Sequence, residues 1–213
     1  MAQNIFVIGR DDFYLEQLKT MRNADEDRFH GLIPYHEIVN PAHYPIGRLL
    51  GDACQKLAGF AGKVDAIISH WDFPRTCLLP LLRGPHNLRG PGLKSVLKCD
   101  NKYWTRLVED ACIAEAAPPY RLVDPFDEDT VNTIDLPYPY RLKPVTGFSS
   151  YLVYRIPNRR ELRHGVDRIR ENIDKFAEPY ETFCRLGNIS DLPPKLGGRM
   201  CSAEAPIKGH KWS

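Results

Sequence analysis

The sequence has no CxxC pair, no apolar run near the ~20 residues needed to cross a bilayer, and no marked excess of either charge. Each absence excludes something. Lys plus Arg number 29 and Asp plus Glu 27, a formal net charge of +2, so nothing points to nucleic acid or an anionic membrane as a partner. Basic residues do gather over residues 155–170, but Glu161, Asp167 and Glu171 interrupt them, the pattern of a solvated helix face. Cys54, Cys77, Cys99, Cys112, Cys184 and Cys201 have no histidine cluster beside them at zinc-site spacing, and they read as free thiols in a reducing compartment. The histidines show no catalytic spacing. The opening MAQNIFVIGRDD lacks a basic segment followed by a long apolar core, so no secretory signal is expected and the cytoplasm is the expected location. What the sequence does have is 213 residues, 43% of them hydrophobic, which is enough for a buried core and for one or two domains.

The first part reads as an α/β domain. Residues 4–9 carry Ile5, Phe6, Val7 and Ile8 before Gly9, a short buried strand. Asp11 or Asp12 can cap a helix with Leu15, Leu18 and Met21 on one face. The turn between them is Gly9-Arg10-Asp11-Asp12, not GxGxxG, and its two acids would repel a pyrophosphate. Residues 47–60 have helical spacing at Leu49, Leu50, Ala53, Leu57 and Ala58, continuing from Ile46. Ala66, Ile67 and Ile68 mark a second strand, followed by Trp71, Asp72 and Phe73. Segments beyond strand ends are where ligands sit in open α/β sheets, which puts His70 and Asp72 in such a place; a capped loop around a half-buried Trp is the favoured reading of them. Residues 84–92 (GPHNLRGPG) form a Gly/Pro-rich connector, and a domain boundary is expected near Leu93.

The second part opens on a predicted helix over residues 98–115, capped by Asp100 and stopped by Pro118 and Pro119, then a short strand over residues 120–123. Residues 139–156 read strand, loop, strand, and the helix that follows carries a stripe of Leu162, Val166, Ile169, Ile173 and Phe176. A long apolar stripe needs a partner face, so the helix is expected to pack on the two strands. Lys143 ends the first of these strands and precedes the small-residue loop Gly147-Phe148-Ser149-Ser150. A lysine so placed can point at a polyphosphate as a fixed cation. The loop can offer backbone N–H groups and hydroxyls to the same oxygens. A plain β-hairpin with an exposed lysine is the competing reading.

In order and spacing these motifs resemble the ATP-grasp family. The quoted residues are Asp100-Asn101-Lys102 opening a helix, Pro139-Tyr140-Arg141-Leu142-Lys143-Pro144, the loop from Gly147 to Ser150, and Cys201-Ser202-Ala203-Glu204-Ala205-Pro206 followed by Gly209. The resemblance implies a Rossmann-like pre-ATP-grasp domain over residues 1–92, then the N-terminal ATP-binding lobe of an ATP-grasp domain over residues 93–213. It implies that Lys102 and Lys143 contact ATP phosphates, that Gly147, Ser149 and Ser150 cover them, and that Glu204, Ala205 and Pro206 line the adenine slot at the hinge. One residue separates Asp100 from Lys102, and Tyr151 and Leu152 stand where many members have a small residue, which implies a stiffer lid.

By resemblance the reaction class is a carboxylate–amine or carboxylate–thiol ligase: ATP activates a small carboxylate as an acyl phosphate, with Mg²⁺ on the phosphates. The family's metal ligands would lie after Ser213, so no metal ligand is expected in this chain, and the chain is expected to be a fragment that binds nucleotide without turning it over. The strand over residues 200–205 is then expected to be a sheet edge. The alternative is a non-catalytic nucleotide-binding or regulatory module.

Overall fold

The computed structural model describes residues 2–207 apart from Asn23, Asp25, Asp191 and Pro194. Lys208 and Gly209, which close the last motif of the resemblance, lie outside the described residues. The fold is mixed α/β, and the chain divides into two compact units. One runs to Val96 and takes in Thr182–Asn188; the other comprises Leu97–Glu181 and the residues from Ile189 onward.

The first unit is built on β1 (Asn4–Arg10), α1 (Asp12–Lys19), β2 (Arg28–Pro34), α2 (Tyr35–Ile38), α3 (Ile46–Ala58), β3 (Ala66–Ser69) and α4 (Arg75–Arg83). The three strands form a parallel sheet in the order β2-β1-β3, with Phe6 opposite His30 on one side and Ile67 on the other. Parallel neighbours need crossovers, and the helices between the strands supply them. The central strand has Phe6, Val7, Ile8 and Gly9 buried in succession, the continuous apolar run of a strand covered on both faces. Asp11, not Asp12, caps α1 by accepting from the Tyr14 N–H at 2.8 Å. The 3.6-residue pattern of α3 places Ile46, Leu49, Ala53 and Leu57 inside, while Leu50 is only half-buried and Ala58 is exposed. Helix α1 behaves differently: none of its residues is fully buried, and Met21, expected on its inner face, lies beyond its end and is exposed. The sequence pattern missed β2 and α4. The first alternates poorly, and the second carries Pro80 inside the helix.

Helix α5 (Leu93–Asp100) is followed by α6 (Lys102–Ile113), β4 (Tyr120–Val123), α7 (Thr130–Thr133), β5 (Tyr140–Pro144), β6 (Tyr154–Ile156), α8 (Arg159–Asn172), α9 (Asp174–Leu186) and β7 (Cys201–Glu204), all in the second unit except the end of α9 from Thr182. The helix expected over residues 98–115 is thus two helices. The cap is Asn101 instead of Asp100: its buried side chain accepts from the Trp104 N–H at 3.0 Å and starts α6 afresh.

The antiparallel sheet has the order β4-β7-β5-β6. Strand β7 therefore lies inside the sheet, paired with β4 and with β5, which corrects the expectation of a sheet edge. All four of its residues are buried, as an interior strand requires. Strands β5 and β6 pair as expected, Tyr140 opposite Ile156 and Leu142 opposite Tyr154; β6 is shorter than expected because residues 151–153 turn. Helix α8 starts at Asn158, which accepts from the Glu161 N–H at 3.1 Å. Its stripe of Leu162, Val166 and Ile169, with Ile173, packs with Tyr140, Leu142, Ile156, Cys201 and Ala203 into one core. The stripe packs on the sheet as expected, although the helical run breaks after Asn172 and resumes at Asp174.

Candidate functional site

Side chains alternate across a sheet, so a strand with one core face offers its other face to something else. On β5 the even residues Tyr140 and Leu142 enter the core, and Arg141 and Lys143 point the other way. On β7 Cys201 and Ala203 enter the core, and Ser202 and Glu204 share the opposite face. Lys143 stands directly opposite Ser202, two residues from Glu204 on the same face. The register thus delivers a diagonal Lys143–Glu204 pair, and its ammonium and carboxylate meet at 2.9 Å.

Two further groups complete this face. Arg106, on α6, donates to the other side of the same Glu204 oxygen at 3.0 Å, and it also pairs with Glu109. Ser202 Oγ donates to the remaining carboxylate oxygen at 3.0 Å. Glu204 is 5% exposed. Burial works to raise its pKa, but the hydrogen bonds from Lys143 and Arg106 outweigh it and hold the carboxyl below its ordinary 4.5. Glu204 is therefore ionised at neutral pH, inside a network with every one of its oxygens engaged. Arg106 and Ser202 were not singled out from the sequence. The alternation Cys-Ser-Ala-Glu carried the signal for Ser202, whereas nothing local marks Arg106, 98 residues from its partner.

Lys102 is the first residue of α6, placed there by the Asn101 cap. Its N–H donates to Val145 O at 2.7 Å and its ammonium donates to Gly147 O at 2.9 Å, so it ties the helix start to the loop after β5. The two lysines thus flank the same turn from different elements. Within it, Gly147 has φ +124°, and a Cβ there would sit 3.3 Å from the Phe176 ring, so both backbone and space call for glycine. Ser149 and Ser150 are exposed with φ of 51° and 56°, in the left-handed region. Phe148 and Tyr151 pack edge-on against Phe176 at 5.3 and 5.2 Å, which pins the loop at both ends of the serine pair. Among the described residues Thr146 Oγ1 and Asn101 Nδ2 are buried with no hydrogen-bond partner.

At the far end of β7, Ala205 N–H donates to Pro119 O at 2.9 Å, Pro206 has no N–H, and Ile207 is 72% exposed. This stretch presents carbonyl oxygens and an apolar surface. Among the described residues no group of three His, Cys, Asp or Glu is placed to hold a metal ion, and no helix is long and apolar enough to cross a membrane.

No family model and no curated protein matches the sequence. Solved structures do match. An L-amino acid ligase from Bacillus licheniformis is similar at 17% identity with a TM-score of 0.65, over 97% of this chain and 47% of that one. A RimK domain ATP-grasp protein from Sphaerobacter thermophilus matches at 13% identity and TM-score 0.52, over 97% of this chain and 65% of its own. The biotin carboxylase domain of the Hydrogenobacter thermophilus 2-oxoglutarate carboxylase, solved with MgADP, ADP and bicarbonate, matches at 14% identity and TM-score 0.53, over 98% and 45%. The likeness is one of fold: this chain folds as a part of each of these structures does, and it spans about half to two thirds of their lengths.

Proposed function

We propose that the polar face of the second unit binds ATP, and that in the whole protein this serves an ATP-dependent ligase that activates a small carboxylate as an acyl phosphate for an amine or thiol. The observation that carries this reading is the pair of lysines at the two ends of one turn: Lys143 on the face of β5 turned away from the core, bound to Glu204, and Lys102 bound to Gly147 O in the glycine- and serine-bearing loop that follows the strand. A polyphosphate needs fixed cations and backbone donors, and both are present here.

Each residue has a distinct task. Lys143 supplies positive charge, and Glu204 holds it in place: an ammonium has three donors, and the bond to Glu204 leaves capacity for phosphate oxygens. Arg106 balances Glu204, so the pair does not consume the lysine's charge outright. Lys102 braces the loop through Gly147 O while its own charge adds to the local field. Gly147, Ser149 and Ser150 cover the phosphates, with Phe176 fixing the loop's flanks. Glu204, Ala205 and Pro206 line the adenine; the carbonyls of the last two are acceptors suited to an exocyclic amine. Mg²⁺ would neutralise phosphate charge when bound, and no described residue of this chain is assigned to it.

Charge-assisted bonds are worth roughly 1.5–3 kcal/mol, which corresponds to about tenfold to a hundredfold in affinity. Calorimetric titration with a non-hydrolysable ATP analogue is therefore expected to show Lys143→Ala binding ten- to a hundredfold more weakly than wild type, with circular dichroism confirming the fold. Equal affinity in a folded variant would reduce Lys143 to an internal partner of Glu204.

A further inference from the structure

The sheet of the first unit has two outer strands, and the order β2-β1-β3 makes them β2 and β3. An outer strand leaves every second N–H and C=O without a strand partner, a template on which another extended chain can pair. On β2 the direction is set at its start: the Arg28 N–H donates to Gln3 O at 2.8 Å. Arg28 thus faces the central strand, and alternation turns the peptide groups of Phe29 and Gly31 outward.

Both outward carbonyls are taken by cations. Arg10 Nη1 donates to Phe29 O at 3.2 Å, and Lys56 Nζ donates to Gly31 O at 2.5 Å. Arg10 reaches its acceptor across Gly31, where a Cβ would stand 3.5 Å from Arg10 Cδ. The opposite edge repeats the arrangement: Arg83 Nε and Nη2 donate to Ile67 O of β3 at 2.9 and 2.7 Å. Lys56 lies in the last turn of α3 and Arg83 in the last turn of α4. Each of these helices returns a cation to the outer strand that precedes it. Along β2 runs a cleft of about 290 Å³, lined by Arg10, Gly31, Leu32, Ile33, Pro34 and Lys56. This is the space that an added strand has to enter, and both cations stand in it.

We infer that the outer edge of β2 is a surface on which a second copy of this chain can add its own β2, and that Arg10 and Lys56 keep it closed. The two carbonyls that an incoming strand needs as acceptors are already occupied. Identical edges are self-complementary about a two-fold axis, which makes a second copy the partner that the edge has to exclude. Two such edges brought together also set the Arg10 and Lys56 of one copy against those of the other, and facing like charges are destabilising.

The test compares the full chain with the double variant Arg10→Ala/Lys56→Ala. Sedimentation velocity over a concentration series reads association, and hydrogen exchange of the peptide holding residues 28–34 reads where it occurs. In the double variant the average mass is expected to climb toward twice that of wild type, with the amides of residues 28–34 exchanging more slowly in step. Wild type is expected to show no concentration-dependent slowing in that peptide. Adding Gly31→Pro to the double variant removes an outward N–H, a change that outer strands tolerate, and is expected to abolish both effects. Should circular dichroism show the double variant unfolded, Lys56→Gln at its exposed helix position carries the test with the same readouts. The inference is overturned if the folded variant associates no more than wild type, if association leaves residues 28–34 unprotected, or if it persists with Gly31→Pro. No nucleotide enters the measurement, so its result is independent of ATP binding in the second unit.

Discussion

The two units each bury a charge, and they treat it in opposite ways. In the second, Glu204 is surrounded by Lys143, Arg106 and Ser202, and both carboxylate oxygens are engaged. In the first, Arg75 is as deeply buried, and its guanidinium nitrogens have no hydrogen-bond partner among the described residues. A satisfied network fixes geometry, so the Glu204 cluster reads as a device that holds two cations in position whether or not a ligand is present. An unsatisfied buried cation carries a cost in stability. The difference separates a charge that fixes its neighbours from one that weakens the fold around it.

The contrast can be broken at either end. The largest effect is expected at Glu204. Removing one member of a buried, hydrogen-bonded charge cluster leaves its partners uncompensated, at a cost of about 3–5 kcal/mol. Glu204→Ala should therefore shift the urea midpoint down sharply, and a loss below about 1 kcal/mol would mean that the cluster is as loosely held as a surface pair.

Acid should expose the same dependence more gently. The carboxyl of Glu204 is depressed in the folded chain, so it contributes stability that is fully present above its ordinary 4.5 and lost as pH falls through the lower folded value. Wild type should lose stability below pH 4.5 more steeply than Glu204→Gln, measured as denaturation midpoint against pH. Parallel profiles would contradict the assignment. The smallest expected effect, and one of opposite sign, belongs to Arg75→Met: a gain of about 1–3 kcal/mol in the ligand-free chain, from removal of an unsatisfied polar group.

Much of this was legible in the sequence where one period ruled over enough residues. The stripe from Leu162 to Ile173 found its sheet, and the strand and loop around Lys143 lie as the alternation indicated. The helix break at Asn101 was not legible, because a capping side chain inside a helical pattern looks like any polar residue until its bond to Trp104 is seen. The interior place of β7 was hidden for another reason. Strand order is set by pairings across up to 84 residues, Tyr120 with Glu204 among them, and four residues of local pattern do not encode a neighbour. Arg106 and Arg75 were missed alike: each acquires its meaning from residues distant in sequence, and an arginine on a helix gives no local sign of burial. Lys102, Lys143 and Glu204, by contrast, were singled out by their order along the chain, and the structure brings the last two together and sets the first against Gly147.

Photolabelling with 8-azido-ATP, followed by peptide mapping of the cross-link, probes the proposed position of a nucleotide along the polar face formed by β5, β7 and the loop from Gly147 to Ser150. A label in the peptide holding Glu204, Ala205 and Pro206 is expected, suppressed by excess ATP and reduced in Lys143→Ala. A saturable label confined to the first unit, or none that ATP suppresses, would rule that position out.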